Sequence, residues 1–125
     1  MSTDEHRLNE ISERIIGCAY KVSNTLGYGF LEKVYENALA FEIHESGLHV
    51  SQQHPVTVKY HNRVVGEYVA DILVEGLVLV ELKCVAALDM AHVAQCLNYL
   101  KATELRLCLL LNFGRARIEV RRVIL

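Results

Sequence analysis

The sequence predicts an α/β protein: a mixed sheet with helices packed on it, in the element order ααβββαββ. Three observations carry this. Apolar residues recur at helical spacing through the first 46 residues, the period changes to the two-residue alternation of strands from Val50 to Val85, and one helical segment then precedes two further apolar runs.

The first helix reads over residues 5–26, with Leu8, Ile11, Ile15, Cys18, Ala19, Val22 and Leu26 on its apolar stripe and Gly27 as its stop. A second reads over 30–46. Leu31, Val34, Tyr35, Ala38, Leu39 and Ile43 are expected on its inner face, and Gly47 closes it. Strands follow at 50–60, 64–74 and 77–85, parted by His-Asn and Glu-Gly turns. Helix resumes over 88–102, and strands at 105–112 and 117–124 flank a Phe-Gly-Arg turn at 113–115.

The chain has 125 residues, 52% of them hydrophobic, which fits one domain over residues 1–125 with one core. No apolar run approaches the roughly 18 residues of a membrane span, and the start, MSTDEHRLNE, lacks an apolar leader core. A cytoplasmic protein with no membrane partner is expected. Cys18, Cys84, Cys96 and Cys108 stand far apart in apolar stretches, as buried free thiols do, without the close spacing of a zinc or iron–sulfur site. Net charge is −2, but residues 1–58 carry four basic and eight acidic side chains and residues 59–125 nine and seven. Arg115, Arg117, Arg121 and Arg122, with Lys59 and Arg63, are either ordinary solvated surface or a set that meets phosphates.

Asp71, Glu81 and Lys83 stand out in a run otherwise built from Val, Ile, Leu and Ala. Two carboxylates and an ammonium are costly to bury without a use. Alternation puts Glu81 and Lys83 on one face of their strand. Asp71 joins them only if the hairpin pairs with an even sum of residue numbers, because residues directly opposite share a side of the sheet. A two-residue Glu75-Gly76 turn pairs Val74 with Leu77 and turns Asp71 away. A three-residue connection or a bulge is therefore expected at 74–77, with Gly76 left-handed.

Hard oxygen donors from Asp71 and Glu81 suit Mg²⁺ or Mn²⁺. Such a cation assists phosphodiester hydrolysis by neutralising developing charge and lowering the pKa of an attacking water, which Lys83 can orient or deprotonate. The competing reading is a structural ion-pair cluster on adjacent strands. On the 88–102 helix, Val93, Cys96, Leu97 and Leu100 form the apolar stripe and His92, Gln95 and Tyr99 a neighbouring one. Gln95 can hold a phosphate or a metal-bound water and Tyr99 can meet backbone or base, although a Tyr on a half-buried helix also serves as core.

The stretch ADILVEGLVLVELK, with Asp71, Glu81 and Lys83, resembles the PD-(D/E)XK nuclease superfamily, and QCLNY, with Gln95 and Tyr99, resembles the QxxxY element of RecB-like exonucleases within it. More closely, Gly29-Phe-Leu-Glu32-Lys-Val-Tyr35 resembles the naming motif of the small GxxExxY group. The similarity covers essentially the whole chain, including LLLNFG at 109–114.

This resemblance implies a restriction-endonuclease-like core and a Mg²⁺- or Mn²⁺-dependent nuclease. Asp71, Glu81 and the Leu82 carbonyl are then the metal ligands, Glu32 completes the site from the second helix, and Lys83 activates water. Gln95, Tyr99 and Tyr35 are the implied substrate contacts, with Tyr35 packed beside Glu32. The implied partner is nucleic acid, DNA ahead of RNA, with a second copy of the chain or a partner protein as a further associate. The superfamily's Pro before the Asp is Ala70 here, harmless for ligation because Pro supplies no ligand. Relatives with an iron–sulfur cluster carry clustered cysteines that this chain lacks, so that cofactor is not carried over. The alternative is a catalytically weak or inactive nuclease fold that binds or scaffolds within a larger assembly. A third reading is a hydrolase of small phosphorylated molecules.

Overall fold

The computed structural model describes residues 3–125. Helices α1 (Thr3–Leu26) and α2 (Glu32–Glu45) precede strands β1 (Val50–Tyr60), β2 (Arg63–Val74) and β3 (Val78–Lys83); α3 (Met90–Thr103), β4 (Leu107–Asn112) and β5 (Glu119–Ile124) follow. This is the order that the sequence predicts. The five strands form one mixed sheet in the spatial order β1-β2-β3-β4-β5. All neighbours are antiparallel except β3 and β4, which run parallel and are joined through α3.

Helices α1 and α2 cover one face, where Val78, Val80, Leu82, Leu107, Leu109 and Leu111 meet Ile11, Ile15, Leu39 and Ile43. Helix α3 covers the other, where Leu79, Cys108 and Leu110 meet Cys96, Tyr99 and Leu100. Strands β3 and β4 are thus buried on both faces, which explains their unbroken apolar runs. Cys96 and Cys108 are buried as expected, whereas Cys18 and Cys84 are only half-buried; all four are free thiols.

Helix α2 is rotated from the expected face. Leu31 falls before the first turn in extended backbone and is 81% exposed; on the helix itself Val34 is exposed, while Glu36 is buried. The reason is a set of polar partners invisible to helical periodicity. Lys33 Nζ lies 3.0 Å from Glu36 Oε2, and the side-chain amides of Gln52 and Gln53 donate to Oε2 at 2.7 Å and Oε1 at 2.9 Å. A buried carboxylate with this many donors is tolerated where an unpartnered one is not.

The same amides mark a change of face in the β1–β2 hairpin. Val50, Ile72 and Val74 belong to the core under α1 and α2, whereas Val56 and Ala70 belong to the core under α3. The register runs unshifted through Gln52↔Ile72 and His54↔Ala70. Between those pairs Gln53 takes a positive φ of 58°. The outer half of the hairpin therefore packs over α3.

Candidate functional site

The β2–β3 ladder runs from Val74↔Val78 to Ile72↔Val80, and one further step places Asp71 opposite Glu81. The connection supplies the extra residue that this register needs. Glu75 and Gly76 take φ values of 55° and 64°, and the Leu77 amide donates to the Val74 carbonyl at 3.0 Å, leaving Leu77 as the odd residue before Val78. Gly76 is left-handed, as expected, and so is Glu75.

Where the two strands part, the carboxylates take over the unpaired backbone. The Asp71 amide donates to Glu81 Oε1 at 2.8 Å, and the Leu82 amide donates to Asp71 Oδ2 at 2.9 Å. Glu81 is only 4% exposed. Burial, then the Asp71 charge, pushes its carboxyl up to about 8, against the pull of the Asp71 amide and Lys83. Burial also raises Asp71, offset by the Leu82 amide. Glu32, at the start of α2, reaches the end of β3. Its carboxyl is raised by burial and by Asp71, and lowered by Lys83 and the Cys84 amide. Asp71, Glu81, Glu32 and Lys83 thus share one electrostatic neighbourhood rich in carboxylate.

That donor set fits a hard divalent cation. Close carboxylates that resist ionisation together are what such an ion neutralises, and Mg²⁺ typically takes one or two of them plus waters. No group of three or more His, Cys, Asp or Glu among the described residues is gathered as a cage, so the fit is to two acids, not to an all-protein shell. Leu82 keeps its side chain in the core while its amide holds Asp71.

A second layer fixes the end of β3. The Phe113 amide donates to the Lys83 carbonyl at 2.8 Å. Asn112, fully buried, accepts from the Val85 and Gly114 amides, both at 3.0 Å, and donates to the Val85 carbonyl and to Glu119 Oε1, both at 2.9 Å. Gly114 lies so close to Val85 that a Cβ there falls 2.5 Å from its backbone. Asn112 and Glu36 were absent from the sequence-derived site. The run of apolar residues before Asn112 hid a polar side chain in a strand core, although LLLNFG did flag the segment.

On α3, Gln95 Nε2 donates to the Tyr99 hydroxyl at 3.2 Å. That hydroxyl is raised by burial and by the charges of Glu81 and Asp71, which places it beside the acids. Gln95 and Tyr99 also line a groove of about 1120 Å³ between α3 and the outer β1–β2 hairpin.

One expectation needs correction. Tyr35 is no substrate contact: it has no exposed surface, its hydroxyl donates to the Gly27 carbonyl at 2.7 Å and accepts from the Phe30 amide at 3.2 Å, and its ring stacks on Phe113 with centroids 5.0 Å apart. It closes the α1–α2 turn that carries Gly29 and presents Glu32. His92, on the same stripe of α3, has a capping role: its Nδ1 accepts the Asp89 amide in a capping box at the start of the helix. The basic residues form no single patch. Arg121 and Arg122 lie on β5 at one sheet edge, Lys59 and Arg63 on the β1–β2 hairpin at the other, while Arg115 pairs with Glu119 and Arg122 with Asn9.

The family model of the PD-(D/E)XK nuclease superfamily matches residues 9–123. No curated protein and no solved structure matches the chain.

Proposed function

The chain belongs to the PD-(D/E)XK nuclease superfamily, and on that premise we propose that it is a divalent-metal-dependent nuclease hydrolysing phosphodiester bonds of nucleic acid, DNA ahead of RNA. The observation that carries the reading is the meeting of Asp71 and Glu81 across the parting of β2 and β3, with Lys83 two residues further on. In this reading Asp71, Glu81 and the Leu82 carbonyl hold Mg²⁺ or Mn²⁺, with Glu32 completing the site. The cation, when bound, supplies charge neutralisation at the phosphate. Lys83 activates the attacking water by orienting it, and its ammonium charge faces the phosphate oxygens as the transition state forms. Gln95 and Tyr99 hold the scissile phosphate or the adjoining sugar and base against α3.

The dispersal of the basic residues over opposite sheet edges supports a second reading, a catalytically weak or inactive nuclease fold that binds or scaffolds within a larger assembly. One experiment separates the two. Single-stranded, duplex and supercoiled DNA, and RNA, are incubated with the protein and Mg²⁺ or Mn²⁺ beside Glu81→Ala and Lys83→Ala. The nuclease reading expects cleavage that both substitutions reduce by at least about a hundredfold. Equal traces of cleavage in all three proteins sink it.

A further inference from the structure

We propose that the groove between α3 and the outer β1–β2 hairpin seats a short stretch of single-stranded polynucleotide and leads it to the acid pair; this rests on the nuclease reading for what happens at the end of the groove, not for the binding itself. Its size is that of a cleft for a ligand of a few nucleotides, about 1120 Å³. The α3 wall is low because Ala91, Ala94 and Ala102 face it. The opposite wall presents Tyr68, 53% exposed, with its ring centroid 5.9 Å from that of Tyr99. Tyr68 thus offers an aromatic platform beside the residue that borders Glu81 and Asp71.

The charges point the same way. Lys59 on the hairpin and Lys101 on α3 flank the groove, with Glu104 as the one carboxylate lining it. Two cations neutralise about two phosphates, far short of the six to ten or so that give a duplex-binding surface its affinity. Single strands bind differently, through base stacking on aromatic rings together with a modest number of phosphate contacts. A base must be unstacked from its neighbours to lie on Tyr68, which paired strands resist. Polar side chains of the lining such as Thr57, Gln95 and Asn98 can meet the sugars of either kind of strand, so the shared chemistry is an unpaired polynucleotide.

The test is fluorescence anisotropy of the full chain with short labelled DNA and RNA single strands and the matching DNA duplex, in EDTA so that binding is read without cleavage. Tighter binding of single strands than of duplex, by about tenfold or more, is expected. Tyr68→Ala and the pair Lys59→Glu, Lys101→Glu should each weaken single-strand binding by about tenfold. The lysine pair should also flatten the slope of log affinity against log salt by about 1.4, from roughly 0.7 per phosphate contact. Ala94→Phe, which fills the groove from an exposed helix position, should abolish binding; if it lowers the melting temperature, the surface lysine pair decides alone. Duplex binding as tight as single-strand binding, or wild-type affinity in the lysine pair, overturns the proposal even if the protein cuts. Binding that follows the expected pattern with no cleavage on any polymer leaves the groove assigned and removes the nuclease reading instead.

Discussion

Asp71 and Glu81 satisfy each other's strands: the Asp71 amide is bonded to the Glu81 carboxyl, and the Asp71 carboxyl is bonded to the amide of Leu82, next to Glu81. This exchange replaces the ladder pairing where β2 and β3 separate, so opening the sheet leaves those amides partnered. It also forces two carboxyl groups together in a buried place. The hydrogen bonds favour ionisation and burial opposes it, and for Glu81 burial prevails.

A pH dependence follows. Glu81 is raised in the fold from its ordinary 4.5 to about 8, so between those values the folded protein holds a proton that the unfolded chain has released. The stabilisation is full below about pH 4.5 and is lost as pH rises through about 8, at up to about 1.4 kcal/mol per pH unit. Glu81→Gln keeps an acceptor for the Asp71 amide and removes the charge. In metal-free buffer the variant should match the parent near pH 4.5 and exceed it at pH 9 by up to about 5 kcal/mol, read from urea melts across that range. Adding Mg²⁺ or Mn²⁺ at pH 8 should raise the parent's melting temperature and leave the variant's unchanged. A variant no more stable than the parent at pH 9 contradicts the burial argument.

Much of this arrangement was legible because alternation and register are arithmetic. Strand alternation makes an even pairing the condition for Asp71 to share a face with Glu81, and that condition requires an extra residue in the turn. The role of Tyr35 is not legible in the motif, because a motif position does not say which way a side chain points; its hydroxyl turns back to Gly27, five residues before Glu32. The burial of Glu36 is hidden for a related reason. Its burial depends on Gln52 and Gln53, some sixteen residues away in another element, and no local period encodes that meeting.

The turn itself is testable. Gly76 sits at a φ of 64° with open space where a Cβ would be, so Gly76→Ala adds backbone strain and no clash. The cost should be about 1 kcal/mol, lowering the melting temperature by roughly 3 to 5 °C. Gly76→Asn should cost less, since Asn tolerates the left-handed region. Equal melting temperatures for all three proteins would falsify the claim that the left-handed turn enforces the register.

Asn112 should matter more than any surface charge. Asn112→Ala strips partners from the Val85 amide, the Val85 carbonyl and the Gly114 amide together. At about 1–3 kcal/mol for each group left unsatisfied, and with water entering to relieve part of it, a loss of roughly 3 kcal/mol is expected in a denaturant melt. Because the same segment receives the Lys83 carbonyl through Phe113, cleavage should fall more than stability does at a temperature where the variant is folded. Gly114→Ala should act alike, by pushing the Val85 backbone away. Wild-type cleavage in a folded Asn112→Ala protein removes Asn112 as a positioning residue.

The two tyrosines separate architecture from chemistry. Tyr35→Phe loses the bond to the Gly27 carbonyl and the acceptor for the Phe30 amide while keeping the stack on Phe113. It should lose about 1–2 kcal/mol of stability, with KM for a polynucleotide unchanged, because the ring reaches no solvent. Tyr99→Phe loses the bond from Gln95 beside the acids, in a side chain whose ring already packs in the core. Its melting temperature should stay within about 2 °C of the parent's, and kcat/KM should fall by roughly tenfold, the worth of about one hydrogen bond. If Tyr35→Phe raises KM while Tyr99→Phe cuts normally, the roles are reversed and the substrate approaches from the α2 side of the sheet.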